Sequence, residues 1–392
     1  MTPIPVQLLK VFALGLLLPG FMHCKSDPPP VPPAEEASPL PPLEEDYDPS
    51  LVKWGYINPL GEWIIQPRYD DCRNFREGMA VVRIGGRWGY INSKGKLAIP
   101  DKYQAAWDFS EGLARVKTFD QGMGFVNKKG QMVIPPIWEA ASDFSNGLAR
   151  VQCGELYGYI NLEGDVVIPC QFARAENFKN DHALAKQGRK WGLIDPNGEW
   201  IIPPQYEKLS LSDDALIRAK KEGKYGFLDQ NGEVVIPFQY SNARRFKDGF
   251  APVKQDGQWG MIDQWGRFSV PPQYEDLHFG GHRRWIIYQN GYFGLIDSSG
   301  SPVTPLVYEQ LFEFSEGRAP FQKDQLWGYL DTLGIPVISA QYGLVWAFRE
   351  GLARAGFYEG IGFIKPDGRI AIPPRFLDVR DFSEGLARAQ KR

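Results

Sequence analysis

GKYGFLDQNGEVVIPFQY, residues 223–240, decides the fold of this chain, because near-copies of it run through almost the whole sequence. The glycine of its Tyr-Gly pair returns at Gly55, Gly89, Gly124, Gly158, Gly192, Gly226, Gly260, Gly294, Gly328 and Gly362. The spacing is 34 residues at every step but one, where it is 35. A fixed period of this length marks a tandem array in which each unit is one supersecondary element.

Within a unit, a short β-prone run ending in a turn former follows the glycine, as in Phe227-Leu-Asp229. A second glycine stands six residues on in all ten units, from Gly61 to Gly368. Asn or Asp three residues before a glycine, between two β-prone runs, signals a hairpin in which glycine takes the positive φ that other residues resist. The second run, Glu233-Val-Val-Ile236, leads to Pro eleven residues after the first glycine in eight units, Gln66 and Ser339 being the exceptions. Pro cannot donate to a ladder, so it marks a strand end or an unpaired edge. An aromatic ring then falls at a constant phase in every unit, from Tyr69 to Phe376. Such a ring is most simply the packing contact between neighbouring units. A connector with Phe in eight units, as in Asp108-Phe-Ser-Glu-Gly112, precedes a third run such as Leu113-Ala-Arg-Val116.

The pattern therefore predicts an all-β array of ten three-stranded antiparallel repeats over residues 51–392. One unit alone has too little partner surface to bury its apolar face, whereas ten in a row share one core. The last run, Leu386-Ala-Arg-Ala389, is the one that elsewhere precedes the first. Pairing the two closes a propeller-like ring, which is favoured over an open β superhelix because the open form leaves edges at both ends.

The hydrophobic fraction, 43%, is ordinary, and the aromatic fraction, 14%, is high because every unit supplies several rings. The net charge of −3 is unevenly placed. Residues 25–50 hold seven acids and one Lys, which leaves the array slightly positive. It lacks the basic footprint of a nucleic-acid binder.

Residues 1–24 read as an export signal. Val11-Phe-Ala-Leu-Gly-Leu-Leu-Leu18 is an apolar run too short to span a bilayer. It ends near Cys24, so residues 1–24 resemble a bacterial lipoprotein signal with Cys24 as the lipidated residue, although Phe21-Met-His23 departs from the small residues such signals favour. Cleaved secretion and an uncleaved anchor are the alternatives. Residues 25–50, rich in Pro and acids, are expected to be a disordered tether. Any membrane association is through this N-terminal anchor. With Cys24 lipidated, three cysteines remain, which predicts at least one free thiol. Cys153 and Cys170 fall on strands either side of a shared middle strand and are expected not to meet. All three remaining cysteines are read as small buried apolar residues.

Trp-Gly-Tyr-Ile-Asn, Ile-Pro-Pro-x-Tyr and Phe-Ser-Glu-Gly-Leu-Ala-Arg-Val together resemble the WG (KWG) repeat family over about residues 51–390. The resemblance implies an all-β, often exported tandem array and supplies no catalytic residues to carry over. Met123 and Ile361 replace the aromatic of the pair, and Leu211-Ser-Asp-Asp-Ala215 and Phe279-Gly-Gly-His-Arg283 lose the Phe-x-x-Gly connector.

The tryptophans of Trp54-Gly, Trp88-Gly, Trp191-Gly, Trp259-Gly and Trp327-Gly offer a sugar-stacking platform, but their strict period favours packing. The recurring Arg115, Arg150, Arg354 and Arg388 alternate with apolar neighbours and should face away from the core, pairing with the connector glutamates Glu111, Glu350 and Glu384 or meeting an anionic partner. The best singular site is the degenerate stretch 276–285, with His278, His282, Arg283, Arg284 and Trp285 as candidate binding residues, although decay of the repeat also explains it. Two histidines without a further ligand make no metal site. No cofactor, phosphate loop or catalytic set is indicated. The expected role is a non-enzymatic binding or scaffold protein of the bacterial cell envelope that engages a protein partner. A carbohydrate- or cell-wall-binding module and an enzyme with a site near residues 275–285 are the alternatives.

Overall fold

The turn at the second glycine forms in every repeat of the computed structural model, which describes residues 52–391 apart from Ala215. In the stretch quoted above, Asp229 Oδ1 accepts from the N–H groups of Asn231 and Glu233 at 2.9 Å each, and Gly232 takes φ +90°. The candidate leader with Cys24 and the linker 25–50 lie outside the described residues.

The hairpin joins Lys224–Leu228 to Val234–Tyr240. Its register pairs Tyr225 with Tyr240 and Phe227 with Ile236, so Gly226 alone faces three residues, Pro237 to Gln239. This bulge lies directly on the glycine. A Cβ at Gly226 would sit 2.6 Å from the Ile236 carbonyl oxygen. Pro237, at the crest, needs no ladder partner because the strand is the free edge of its sheet. The recurring glycine and the recurring proline are thus two sides of one contact.

The connector adds a short fourth strand to the expected meander. Lys208–Ser210, Ile217–Lys221, Lys224–Leu228 and Val234–Tyr240 form one sheet in that order. Eight further sheets of this kind lie along the chain, four before this one and four after it. The seventh is the irregular one, with three named strands, Asp276–Gly281, Arg284–Gln289 and Tyr292–Asp297, and its last edge reduced to isolated bridges at Pro302 and Tyr308. The tenth is shared between the chain ends. The end of Ile370–Val379 pairs with Ala387–Lys391, which pairs with Trp54–Ile57, which pairs with Trp63–Tyr69.

The core lies between sheets. Leu148, Tyr159, Ile168 and Phe172 of the third sheet pack on Ala175, Phe178, Ala183, Ala185 and Ile194 of the fourth. The ring at the fixed phase, here Phe172, belongs to this contact as expected. Each of the ten apolar clusters spans two successive sheets, and one joins the tenth sheet to the first. Ten sheets with ten such interfaces form a ring, since an open row would have nine. Repeated contacts agree. Ser110 Oγ donates to the Phe144 carbonyl at 2.8 Å and Ser315 Oγ to Phe348 at 2.7 Å, and across the closure Ser383 Oγ donates to Phe75 at 2.9 Å.

Cys153 and Cys170 do meet, contrary to the expectation from strand order. Their Cα atoms are 6.2 Å apart and their sulfurs are bonded. Strands two apart in a flat ladder are separated by nearly 10 Å. Here the bulge carries Cys170 over Gly158, the residue that faces Pro169 to Gln171. Both cysteines escape the buried apolar reading, which holds for Cys72 alone. Cys72 is free and fully buried, and burial pushes its thiol up to about 12. Reducing the disulfide, or replacing both cysteines with serine, is expected to lower stability by about 2–3 kcal/mol from the loop of this size it closes. Urea unfolding with and without reductant checks this.

Candidate functional site

The seventh sheet does not bring its five candidate residues together. Trp285 is fully buried, with its ring edge-on to Phe279 and its Nε1 donating to Ser298 Oγ at 3.3 Å. It stands where other repeats have the small alanine of Leu-Ala-Arg, and Gly280 stands where they have Phe. One large ring has moved from the connector to the strand, so the departure from the repeat is a compensated repacking. Arg284 is tied to the Thr332 carbonyl at 2.8 Å. His278 Nδ1 lies 3.3 Å from Asp276 Oδ2, and Asp276 also accepts from Arg244 at 2.7 Å. Only His282 and Arg283 remain exposed side by side, both with positive φ, at the connector turn.

The tryptophans of the Trp-Gly pairs are buried or half-buried; cations lie over Trp54, Trp88, Trp191 and Trp259, and the Phe312 ring stacks on Trp327. Arg73 and Arg83 cover Trp88, Lys186 covers Trp191, and Arg244 lies 4.8 Å from the centre of the Trp259 ring. The recurring arginines do not pair with the connector glutamates. Arg115 reaches Asp143 at 3.1 Å and Arg354 reaches Asp381 at 2.6 Å, in each case a carboxylate of the next sheet. Arg354 Nη1 also donates to the Val379 carbonyl at 3.1 Å, and Arg150 and Arg388 donate to the carbonyls of Ala175 and Cys72. Where Val81 stands at the arginine position, the corresponding Asp108 keeps a buried oxygen without a partner, and burial raises its carboxyl above the usual range.

The glutamates instead clamp turns. Among the described residues, nine of the ten connector turns have a residue near φ +50°, followed in seven of them by glycine at +74° to +83°, which leaves two N–H groups pointing outward. Glu111 accepts from Asn146 and Gly147 at 2.8 and 2.9 Å, one oxygen to each. Glu316 does the same for Glu350 and Gly351, and Glu350 for Glu384 and Gly385. Glu77, Asp214 and Glu384 each reach the single glycine N–H of Gly112, Gly249 and Gly78. Six of the ten turns are therefore closed by a carboxylate from the sheet before, among the described residues. The sequence reading missed this role because Glu and the N–H groups it binds lie a full repeat apart.

The other degenerate connector holds a different bridge. Asp213 accepts from both Lys179 and Lys247, one repeat to either side. These bonds hold its carboxyl down at about 2. The folded value lies below the unfolded one, so the stabilisation is present above about pH 4 and is lost as pH falls through about 2. The side chains are half exposed, so the effect is expected to stay below about 1 kcal/mol. Comparing unfolding midpoints of wild type and Asp213→Asn between pH 5 and 2 checks it, the two converging at the acid end.

The cavities are small. One of about 230 Å³ is lined by Lys179, His182, Ser212 and Asp214, and one of about 350 Å³ by Arg68, Tyr69 and Leu97. Among the described residues, no group of three His, Cys, Asp or Glu is placed to hold a metal ion, and no helix is long and apolar enough to cross a membrane.

A family model described as the WG containing repeat matches residues 54–88, 88–118, 123–157, 157–191, 191–225, 225–259, 293–327, 327–356 and 361–392. Its longest gap, residues 260–292, holds the first two strands of the irregular seventh sheet. No curated protein matches the chain in sequence. Solved structures with a similar course include a computationally designed protein, Ika8, at 12% identity and a TM-score of 0.36, covering 69% of this chain and 95% of that one. A eukaryotic initiation factor matches at 10% identity and 0.45, covering 73% and 94%. BamB from Moraxella catarrhalis matches at 11% identity and 0.34, covering 74% and 97%. All three scores lie below 0.5, and none bears on what this chain does.

Proposed function

The chain belongs to the WG-repeat family, and on that premise we propose that it is a non-enzymatic binding scaffold of the bacterial cell envelope whose ring surface engages a protein partner. The observation that carries this reading is a belt of exposed apolar side chains. The free-edge strands of the second, third and fifth sheets begin with the exposed pairs Met132-Val133, Val166-Val167 and Val234-Val235, and that of the sixth begins with exposed Phe268, whereas Trp200 and Ile201 at the same place in the fourth are half-buried. Val166 and Val234 are each 52% exposed. Isolated exposed apolar residues need no explanation, but a series repeated along one edge of the ring suits an interface.

Export is supported by the disulfide, which persists in oxidising compartments, and by the apolar run ahead of Cys24. The lipid anchor at Cys24 belongs to this proposal. The carbohydrate reading has little support, because cations lie over four of the repeated tryptophans and the Phe312 ring stacks on the fifth, Trp327. The enzyme reading near residues 275–285 is weakened by the burial of Trp285 and the tethering of Arg284.

Residues 48–392 form a compact unit that contains all ten core clusters and serve as bait. Incubated with envelope extract, this bait is expected to capture a protein that a Val166→Lys, Val234→Lys bait does not. Capture by both would move the interface off the belt, and capture by neither would sink the scaffold reading.

A further inference from the structure

We propose that the connector turn at Glu316–Gly317, with His282 and Arg283 beside it, receives a carboxylate from an acidic segment of a protein partner. This rests on the scaffold reading and names the chemistry of one contact. The ring itself shows what this kind of turn binds. At six other turns one or both N–H groups hold a carboxylate from the preceding sheet. At Glu316–Gly317 the residue in the clamping position is His282, which has no carboxylate to offer.

The turn nevertheless keeps the geometry of its occupied counterparts. Glu316 and Gly317 have φ +50° and +75°, against +52° and +77° at the clamped Glu350 and Gly351. Among the described residues, neither the Glu316 nor the Gly317 N–H has a hydrogen-bond acceptor. Two adjacent N–H groups fixed in this way form an anion-binding concavity, and nothing must reorganise for it to act. The Glu316 carboxylate does not compete, because both its oxygens are engaged by the next turn.

The surrounding charge favours an anion. The His282 ring packs edge-on to Phe314, and Arg283 is exposed next to it. Arg318 donates to the carbonyls of Gly317 and Pro366, so its guanidinium stays at the turn. Glu313 is the nearby acid in sequence, three residues before the turn. The turn at Asn180–Asp181, which also lacks a carboxylate from the sheet before, makes the contrast. It carries Asp181 itself and adjoins Asp214, so a second carboxylate is disfavoured there.

The test uses residues 48–392 and a fluorescein-labelled peptide of alternating Glu and Gly, read by anisotropy. The Glu peptide is expected to bind at least tenfold tighter than its Gln counterpart, the weight of one charge-assisted hydrogen-bond pair. His282→Glu supplies the missing internal clamp. It is expected to weaken peptide binding at least tenfold while leaving the unfolding midpoint unchanged or higher, which separates it from misfolding. Arg87→Glu, a larger charge change on a distant exposed hairpin, should leave binding unchanged. The site is overturned if Glu and Gln peptides behave alike, if His282→Glu binds as well as wild type, or if Arg87→Glu weakens binding equally. Acetate that displaces the peptide at equal concentration would make a small free carboxylate the ligand and overturn the partner-segment assignment. A His282→Glu bait that still captures the envelope protein would sink this turn and leave the scaffold reading standing. Peptide binding intact with no protein captured would do the reverse.

Discussion

Gly328→Ala is expected to destabilise the ring by about 3 kcal/mol or more, one of the largest effects of any single methyl group added to this protein. The new Cβ would lie 2.4 Å from the Ile338 carbonyl oxygen and 2.8 Å from both the Ser339 carbonyl carbon and the Ala340 nitrogen. All three are backbone atoms of the bulge, which cannot rotate away as a side chain tip can. Relief requires flattening the bulge, and that breaks the register in which Trp327 pairs with Tyr342 and Tyr329 with Ile338. Tyr329 and Ile338 are core residues of the interface with the ninth sheet, so the damage spreads to the packing. Gly112→Ala is the control. Gly112 has φ +83° but open space around its Cβ position, so only backbone strain of about 1 kcal/mol is expected. Urea midpoints of the two variants check the argument, and equal midpoints would mean that the bulge does not rest on this glycine.

The same contact explains what could be read from the sequence. Period, hairpin turns, edge proline and fixed-phase aromatic each follow from local chemistry repeated ten times, so the array and its strands were legible. The bulge was not, because nothing in a strand's own composition says that Gly158 faces three residues. The expectation that Cys153 and Cys170 stay apart failed on that point. The partners of Arg115 and Glu111 were missed for a related reason. A side chain on a sheet face or at a connector turn meets the next sheet, so Arg115 finds Asp143, and Glu111 finds the N–H groups of Asn146 and Gly147. Of the candidate site, His282 and Arg283 keep the exposure the sequence suggested. Trp285 does not, because a repeat that loses a core ring at one position can regain it at another, and composition alone does not distinguish that exchange from a ligand contact.

Closure makes the second large prediction. In the tenth sheet Trp54 pairs with Gln390 and Gly55 with Ala389, as Trp88 pairs with Arg83 and Gly89 with Val82 in the first. There the strands are joined through Ile84, Gly85, Gly86 and Arg87. The chain ends therefore occupy the place of an ordinary hairpin loop. Joining Lys391 to Lys53 through Gly-Gly recreates that loop, and opening the chain between Gly85 and Gly86 gives new ends in an equivalent position. This permuted protein is expected to unfold within about 1 kcal/mol of wild type, because every strand pair is kept and the opened loop is exposed. A chain ending at Arg380 behaves oppositely. It loses Phe382 and Leu386, each worth about 1.5–3 kcal/mol of burial, together with the strand Ala387–Lys391. Two interfaces open at once, since these residues contribute to the clusters on both sides of the tenth sheet. The loss is expected to be on the order of 5 kcal/mol, and the bared edge of Trp54–Ile57 should drive self-association visible by light scattering. An open array predicts the reverse order. Truncation would remove one terminal strand at little cost, while the Gly-Gly link would force distant ends together and prevent folding. Unfolding midpoints of the permuted and truncated chains thus distinguish ring from row without any ligand in hand.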